Sequence, residues 1–308
     1  DDAVALAKTI GANCVIGIGG GSPIDAAKST AILLSYPEKT CADLYEFEFT
    51  PDKAAPVIAI NLTHGTGTEV DRFAVVSIPE KEYKPAIAYD CIYPMYAIDD
   101  PALMVSLPEF QTMSVSVDAV NHVFEACTSV VANPLSILLA KEVVRLVHDY
   151  LPKALKDTKD IEARYYLVYA SMIAGSSFDN GLLHFTHALE HPLSAIKTDF
   201  THGYGLGILL PAVVRHTFES RRATIEEVFA PIFGDEKDID ANKAAELIKE
   251  WLRSVGLTNT LKDEGFSEDH LDKLTELAFT TPSLDGLLGC APVEATREVV
   301  RAIYAESL

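Results

Sequence analysis

The pattern of apolar residues changes near Pro108, and this change constrains the fold more than any other feature of the sequence. Before it, five apolar runs of strand length alternate with helical or irregular segments, at residues 15–18, 57–60, 74–77, 86–88 and 96–98. Because the runs are continuous rather than alternating, they predict strands buried on both faces of an α/β sheet. After it, the periodicity predicts long helices over residues 112–131, 134–150, 160–178, 182–195, 241–255, 267–278 and 293–305.

Two domains follow from this change. We predict an α/β domain over residues 1–107, an all-helical domain over residues 108–308, and a ligand-binding cleft between them.

The net charge of −20, with no basic run, argues against binding to nucleic acid or to an anionic membrane surface. No apolar stretch has the length of a membrane span. Five scattered cysteines are typical of reduced thiols, which predicts a cytoplasmic protein.

A glycine-rich loop directly follows the first apolar run. Three consecutive glycines allow a tight turn, after which Ser22 is predicted to cap a helix, with Pro23 in its first position and Asp25 as a capping-box acid. A strand, a glycine turn and a helix N-terminus together predict a phosphate-binding site. The spacing matches neither G-x-G-x-x-G nor a Walker A loop, so a tight turn without a ligand stays open as an alternative.

A second loop, residues 61–70, follows the run at 57–60. Thr63 and Thr66 lie there among glycines, where hydroxyl groups can bind a ribose or a nicotinamide amide. A turn that merely caps the next segment is an equally open alternative.

Histidines and carboxylates cluster in two later segments. Asp118 and His122 are four residues apart and therefore share one helix face. Four more histidines lie within residues 184–202, namely His184, His187, His191 and His202. A lone histidine on an apolar face is ordinarily a core residue, but this grouping favours a divalent metal site.

A metal-dependent hydrolase is the first alternative to test against the sequence. His187 and His191 have the spacing of an HExxH motif, but Ala188 stands where its general-base glutamate belongs. Glu190 precedes the second histidine instead, and in a regular helix we expect it to point to a different face. A G-x-S-x-G nucleophile motif is also absent, so hydrolysis is disfavoured.

Taken in order, these motifs resemble the iron-containing (group III) alcohol dehydrogenase family. Four motifs carry the resemblance: Gly19-Gly20-Gly21-Ser22-x-x-Asp25-x-Ala27-Lys28, Thr63-x-Gly65-Thr66-Gly67-x-Glu69-Val70, Asp118-Ala119-x-x-His122, and His187-x-x-x-His191-Pro192-Leu193 leading to His202-Gly203. The resemblance extends over nearly the whole chain. It implies a Rossmann-like dinucleotide-binding α/β lobe, incomplete because the family's first β-α-β unit is absent, and an all-α C-terminal domain. This architecture is shared with dehydroquinate synthase.

The resemblance also implies the site residues. The implied metal ligands are Asp118, His122, His187 and His202, with His191 near the substrate as a proton relay. The implied cofactor contacts are Gly19, Gly20, Gly21, Ser22, Asp25, Thr63, Thr66 and Lys84. The implied metal is Fe²⁺, with Zn²⁺ as a second option. The cofactor is NAD or NADP, because the residue that selects between them belongs to the absent unit.

The implied function is hydride transfer between a nicotinamide and a metal-bound alcohol or aldehyde, by a cytoplasmic homodimer acting on a small substrate. Two alternatives stay open. One is a zinc- and NAD-dependent lyase of the dehydroquinate synthase class, which would need a basic pocket, whereas Lys197 is the nearest base in the metal-site segments. The other is a truncated relic that binds metal without catalysis. His184 and Glu190, where small residues are more usual, leave the substrate open.

Overall fold

Five short strands form where the apolar runs predict them. They are β1 (Val15–Gly19), β2 (Val57–Asn61), β3 (Phe73–Val75), β4 (Ala86–Ala88) and β5 (Tyr96–Asp99). In this computed structural model, which describes residues 1–308, β1, β2 and β5 form a parallel sheet in that order. The strands β3 and β4 form a separate antiparallel pair. The five predicted strands are therefore confirmed.

Thirteen α-helices account for most of the remaining chain. They are α1 (Asp2–Thr9), α2 (Gly21–Ser35), α3 (Cys41–Tyr45), α4 (Glu109–Thr128), α5 (Pro134–Lys156), α6 (Ile161–Gly181), α7 (Phe185–Ile196), α8 (His202–Val228), α9 (Ala230–Phe233), α10 (Ala241–Ser254), α11 (Leu271–Thr280), α12 (Leu284–Leu288) and α13 (Arg297–Glu306). Short 3₁₀ helices occupy Thr68–Val70, Pro79–Lys81, Asp90–Ile92, Pro101–Met104 and Glu268–His270. Each of the seven helices predicted after Pro108 is present, with ends that differ by a few residues. No helix combines the length and hydropathy that a membrane span requires.

The burial predicted for the sheet is correct on one face only. Helix α2 packs against β1 and β2, whereas Ile16 and Ile18 on the opposite face of β1 are 55% and 58% exposed. The register places Ile58 beside both Ile16 and Tyr96, so the exposed side chains share one face. The prediction of strands buried on both faces is therefore wrong for β1 and β5. A continuous apolar run predicts a strand, but each face of the strand is buried only where another element packs over it.

Helix α2 begins two residues earlier than a Ser22 cap would require. Gly20 occupies the N-cap position, no side chain caps the helix, and Ser22 lies within the first turn. The carboxylate of Asp25 instead accepts hydrogen bonds from Thr68 Oγ1 at 2.6 Å and from the Val75 backbone N–H at 2.9 Å. The predicted capping roles of Ser22 and Asp25 are therefore wrong. Asp25 binds the α2 helix to the segment that follows the second loop.

The C-terminal lobe is built around α4. Every residue from Thr112 to Ser129 is buried, and a hydrophobic core of 54 residues surrounds this helix. Polar residues on a helix buried on all sides need internal partners. The polar positions of α4 are therefore the places where a site can form, and they include Asp118, His122 and Glu125.

The second loop joins the two lobes by close packing. A Cβ on Gly65 would lie 2.3 Å from the Val115 carbonyl oxygen of α4, so only glycine permits this approach. Next to it, the buried His64 ring contacts Arg164 of α6, with 2.7 Å between His64 Nε2 and the guanidinium. Arg164 also donates to Thr112 Oγ1 at 2.8 Å and to the Leu107 carbonyl oxygen at 3.2 Å. The loop, the inter-lobe connection and the helical lobe are thus held by one buried guanidinium.

Candidate metal and dinucleotide site

A cavity of about 1420 Å³ lies between the two lobes. The glycine turn and the second loop line one side, and α4, α7 and the start of α8 line the other. All the residues named for the metal from the sequence line this cavity, and so do Lys84 and His191. The cleft predicted between the lobes is therefore present.

The four residues named as metal ligands converge from three helices. Asp118 Oδ1 lies 3.5 Å from His122 Nε2 and 3.7 Å from His187 Nε2. The ring centroids of His122 and His187 are 4.6 Å apart, and that of His202 is 5.4 Å from that of His187. Donor atoms of Asp118, His187 and His202 all lie within 4.8 Å of one another. Nitrogen and oxygen donors at these separations suit Fe²⁺ or Zn²⁺.

Two atoms at the centre of this group have no hydrogen-bond partner. Asp118 Oδ1 and His187 Nε2 are buried and unpaired, although a buried polar atom left unpaired costs about 1–3 kcal/mol. A carboxylate oxygen and an imidazole nitrogen that face each other without a hydrogen bond are placed as two donors to one metal ion would be. The residues present therefore fit a divalent metal.

The outer nitrogens of the three histidines fix the orientation of their rings. Nδ1 of His187 lies 2.5 Å from Glu125 Oε2, and Nδ1 of His122 lies 3.2 Å from the Gly65 carbonyl oxygen. Nδ1 of His202 contacts Glu190 Oε2. Each of these oxygens can only accept, so each Nδ1 carries a proton, which leaves Nε2 as the ring nitrogen that can face the metal group. Metal-binding histidines are held by outer partners in this way.

The electrostatics of the group favour an ionised carboxylate. Burial alone raises the pKa of Asp118, but His122, His187 and His202 outweigh it and lower the pKa to about 2. Burial lowers the pKa of His187, whereas Glu125 and Asp118 raise it to about 9. The negative charge of Asp118 is thus held at a point where it attracts a cation.

His191 lies one turn beyond His187 on α7 and is turned the same way. Its Nδ1 donates to the Lys84 carbonyl oxygen at 2.8 Å, which leaves Nε2 as an acceptor. Its ring centroid is 5.7 Å from that of His202. Burial, followed by the nearby Lys84 charge, lowers the pKa of His191 well below its usual value. His191 is therefore a neutral imidazole beside the proposed ligands.

Glu190 contacts the metal group, which sequence reasoning did not predict. It is fully buried, its Oε2 contacts His202 Nδ1, and Lys84 Nζ lies 3.2 Å from the same oxygen. Glu190 does not line the cavity as His187 and His191 do, so it points to a different face as expected, but that face contacts His202 and Lys84. Lys84, which the resemblance implies as a cofactor contact, has its ammonium group in this contact.

The two glycine-bearing loops pack directly on each other. A Cβ on Gly20 would lie 2.8 Å from Thr63 Cγ2, and a Cβ on Gly21 would lie 3.0 Å from Thr66 Cγ2. Gly20, Gly21, Thr63 and Thr66 line the cavity, as do Ser22 and Asp25. Gly19 has a φ of +149° and lies against Pro23, outside the cavity lining. Backbone N–H groups at the start of α2 thus open onto the cavity.

Two further residues near the metal group were missed from the sequence as supports. Glu125, on α4, accepts from His187 Nδ1 and from the Thr186 backbone N–H. His184 lies with its Nδ1 3.5 Å from Glu125 Oε1 and its Nε2 2.9 Å from Thr128 Oγ1. The spacing of Glu125 three residues after His122 was the available signal, because it places the carboxylate on the same side of α4.

Comparison with known proteins decides between the functional alternatives. Residues 1–101 match the family described as iron-containing alcohol dehydrogenase, and residues 112–308 match its C-terminal domain. The chain belongs to the iron-containing alcohol dehydrogenase family. It is accordingly a metal-dependent, NAD(P)-linked alcohol dehydrogenase, and the resemblance stated from the motifs is confirmed.

Individual relatives agree with this family. The long-chain primary alcohol dehydrogenase AdhA of Thermoanaerobacter ethanolicus is 59% identical over 309 residues, covering 100% of this chain and 77% of that protein. The crystal structure of NADH-dependent butanol dehydrogenase A of Thermotoga maritima has a TM-score of 0.91 at 29% identity, over 99% of this chain and 79% of that one. Sulfoacetaldehyde reductase of Bifidobacterium kashiwanohense in complex with NAD⁺ has a TM-score of 0.86 at 27% identity, over 100% and 79%.

Proposed function

We propose that Asp118, His122, His187 and His202 hold Fe²⁺ and that the enzyme oxidises long-chain primary alcohols, or reduces the corresponding aldehydes, with NAD or NADP. The observation that carries the metal assignment is the unpaired, buried pair of Asp118 Oδ1 and His187 Nε2. Zn²⁺ suits the same nitrogen and oxygen donors and is the alternative ion.

The substrate class is argued from the apolar wall of the cavity. The Phe178 ring stacks on the His122 ring with centroids 4.5 Å apart. Leu182, Leu183 and Leu287 also line the cavity. An alkyl chain that extends from the metal group along this wall would bury apolar surface, which favours longer alcohols. The 59% identical relative is a long-chain primary alcohol dehydrogenase, which supports the same class.

The chemistry divides between the bound groups and the chain. A bound divalent metal supplies Lewis acidity toward an alcohol oxygen, and the nicotinamide supplies the hydride chemistry. Asp118 and the three histidines supply the donor atoms. The Nε2 lone pair of His191, left free by the bond from Nδ1 to the Lys84 carbonyl, is available to receive the alcohol proton. Phe178 and the leucines shield the group from water.

The cofactor assignment rests on the two packed loops. Backbone N–H groups at Gly20, Gly21 and Ser22 would bind the pyrophosphate at the start of α2, where the helix dipole favours negative charge. Thr63 and Thr66 would contact the nicotinamide half. Gly19 and Asp25 belong to this proposal as well, although the Asp25 carboxylate is already bonded to Thr68 and Val75.

Three further expectations accompany this function. The domain boundary at residues 107 and 108 is supported by Pro108, which is the N-cap of α4. The homodimer and the cytoplasmic location stay predictions.

The lyase alternative would need free bases in the cleft, but the Lys84 ammonium contacts Glu190, and the Lys197 ammonium lies 3.0 Å from the Glu264 carbonyl oxygen.

A chain-length series tests the substrate class. We expect kcat/KM with NAD⁺ or NADP⁺ to rise from ethanol to octanol by about fourfold per added methylene, because each buried CH₂ contributes about 0.8 kcal/mol. Iron-loaded enzyme is compared with enzyme that has been stripped by a chelator and reloaded. A flat series from ethanol to octanol would refute the long-chain assignment, and full activity without any divalent metal would refute the metal assignment.

A further inference from the structure

Glu190 is a buried carboxylate that contacts both a proposed metal ligand and Lys84. The side chain is 0% exposed. Oε2 accepts from His202 Nδ1 and contacts Lys84 Nζ at 3.2 Å, and Oε1 accepts from Ser194 Oγ. Both carboxylate oxygens therefore accept hydrogen bonds, Oε2 from His202 and Lys84 and Oε1 from Ser194.

A buried carboxylate is retained only where its charge is compensated. The Lys84 ammonium lies 3.2 Å from Glu190 Oε2, and His202 Nδ1 donates to the same oxygen. The carboxylate therefore has its charge compensated by these two donors, one of which is a proposed metal ligand. It carries the same negative charge as Asp118, on the other side of the His202 ring.

Lys84 excludes the obvious alternative for Glu190, which is a second metal site. Donor atoms of Glu190, His191 and His202 lie within 4.8 Å of one another, as a three-ligand site would require. The Lys84 ammonium, however, lies 3.2 Å from both Glu190 Oε2 and His202 Nδ1. A cation already occupies this donor set, so a divalent ion there would have to displace it.

We propose that Glu190 is a positioning residue that serves both cofactors. By accepting from Nδ1, it holds His202 with Nε2 turned toward Asp118 and His187. By pairing with the ammonium, it anchors Lys84 at the cavity wall. This inference rests on the proposed ligand set. Because one oxygen bridges the two groups, the position of Lys84 depends on the orientation of a metal ligand, and the metal and nicotinamide sides of the cavity are coupled.

Position along the chain gives Glu190 a role that neither partner can fill. Lys84 lies in the segment that connects the antiparallel strands β3 and β4 of the first lobe, whereas His202 opens α8 in the second. The Glu190 contact with Lys84 spans 106 residues. Glu190 thus links the two lobes through its contact with Lys84, and the same carboxylate oxygen contacts a proposed metal ligand, His202.

Metal affinity, measured without turnover, tests the inference. Metal-free parent, Glu190→Ala, Glu190→Gln and His202→Ala enzymes are titrated with Zn²⁺ against a chromophoric chelator, after circular dichroism has established that each is folded. We expect Glu190→Ala to weaken Zn²⁺ binding by about 10- to 100-fold, as the loss of an outer partner of a metal-binding histidine does. Glu190→Gln keeps an oxygen for the Nδ1 proton, so we expect a loss of about tenfold or less.

A second readout follows the Lys84 anchor. In Glu190→Gln the ammonium loses its charged partner, so the KM for the nicotinamide cofactor should rise while most of the Zn²⁺ affinity is kept. Glu306 offers a matched control, because it also lies between a histidine and a cation, with His216 Nε2 at 3.0 Å and Arg215 at 2.7 Å, and lies outside the cavity lining. Glu306→Gln should change neither quantity.

The outcomes separate this inference from the ligand assignment. Parent-like Zn²⁺ affinity and cofactor KM in both Glu190 variants would overturn the positioning role. A loss in Glu190→Gln as complete as in His202→Ala would make Glu190 a ligand itself and would also overturn it. Parent-like Zn²⁺ affinity in His202→Ala would instead overturn the proposed ligand set. If Glu190→Ala does not fold, Glu190→Gln alone decides by the same two readouts.

Discussion

The buried Glu69 carboxyl should make the stability of the enzyme depend on pH. Glu69 lies in the 3₁₀ helix after the second loop, is 1% exposed, and neither of its side-chain oxygens has a hydrogen-bond partner. Burial and the charges of Asp99 and Asp71 raise its pKa from 4.5 to about 8, while Lys28 lowers it only slightly in comparison. The folded enzyme therefore holds Glu69 in the neutral form near pH 7.

The direction of the effect follows from proton linkage. Between pH 4.5 and about 8 the folded state binds a proton at Glu69 that the unfolded state has lost, so the free energy of unfolding falls as the pH rises. The stabilisation is fully present below pH 4.5 and is lost as the pH passes through 8. At about 1.4 kcal/mol per pKa unit, roughly 3 kcal/mol should be lost between pH 5 and pH 8.

Glu69→Gln isolates this contribution, because glutamine has the same shape and cannot ionise. Urea unfolding of both proteins at pH 5, 6, 7 and 8 gives the difference in unfolding free energy, in which the titrating groups that do not interact with Glu69 cancel. From pH 5 to pH 8, we expect the unfolding free energy of Glu69→Gln to rise relative to that of the parent by about 3 kcal/mol. Glu80→Gln, at an exposed position, is the control. A parent–variant difference that stays constant with pH would show that the Glu69 carboxyl is ionised in the folded state, and the reasoning would be wrong.

Three further predictions concern the junction and the site. Chelation should lower the Tm of the parent, because the metal binds residues of three helices, and it should not change the Tm of His187→Ala. A parent Tm that does not change with the chelator would contradict the ligand set. Arg164→Met should lower the unfolding free energy by about 3 kcal/mol in urea, because four acceptors lose their donor and two of them, on His64 and Thr112, are buried. Parent-like stability would contradict this. His191→Ala should keep metal and cofactor affinity while turnover falls by about 10²- to 10⁴-fold, whereas loss of the metal would make His191 a ligand.

The histidine and carboxylate pairs could be recognised as candidates for a metal site because their spacing is local. Asp118 and His122 lie four residues apart, and His187 precedes His191 by the same interval, so helical periodicity alone puts each pair on one face. The order of the motifs then carried the family resemblance, and with it the pairing of one segment with the other. That two helices bring these faces together is a tertiary fact, which the resemblance supplied and the spacing could not.

The partners of these residues could not be predicted in the same way. The Lys84–Glu190 contact joins residues 106 positions apart, and nothing in the local pattern of either segment indicates it. Asp25 was misassigned for a related reason. A serine, a proline and an acid in that order fit a helix start, but the carboxylate was bound by Thr68 and by Val75 N–H, 43 and 50 residues away. Long-range hydrogen bonds override a local capping pattern when the segment is buried.

Gly65 shows how a motif position can be conformationally ordinary and still require glycine. Its φ is outside the left-handed region, so the turn itself would accept another residue. Its Cα hydrogen, however, faces the Val115 carbonyl of α4, where a Cβ would lie 2.3 Å from the oxygen. Its own carbonyl oxygen accepts from His122 Nδ1 at 3.2 Å. The glycine therefore lets the proposed cofactor loop approach α4 closely enough for a backbone oxygen to orient a metal ligand. A larger side chain would move that oxygen away from His122, so the glycine requirement of the loop arises at the metal group and not in the turn.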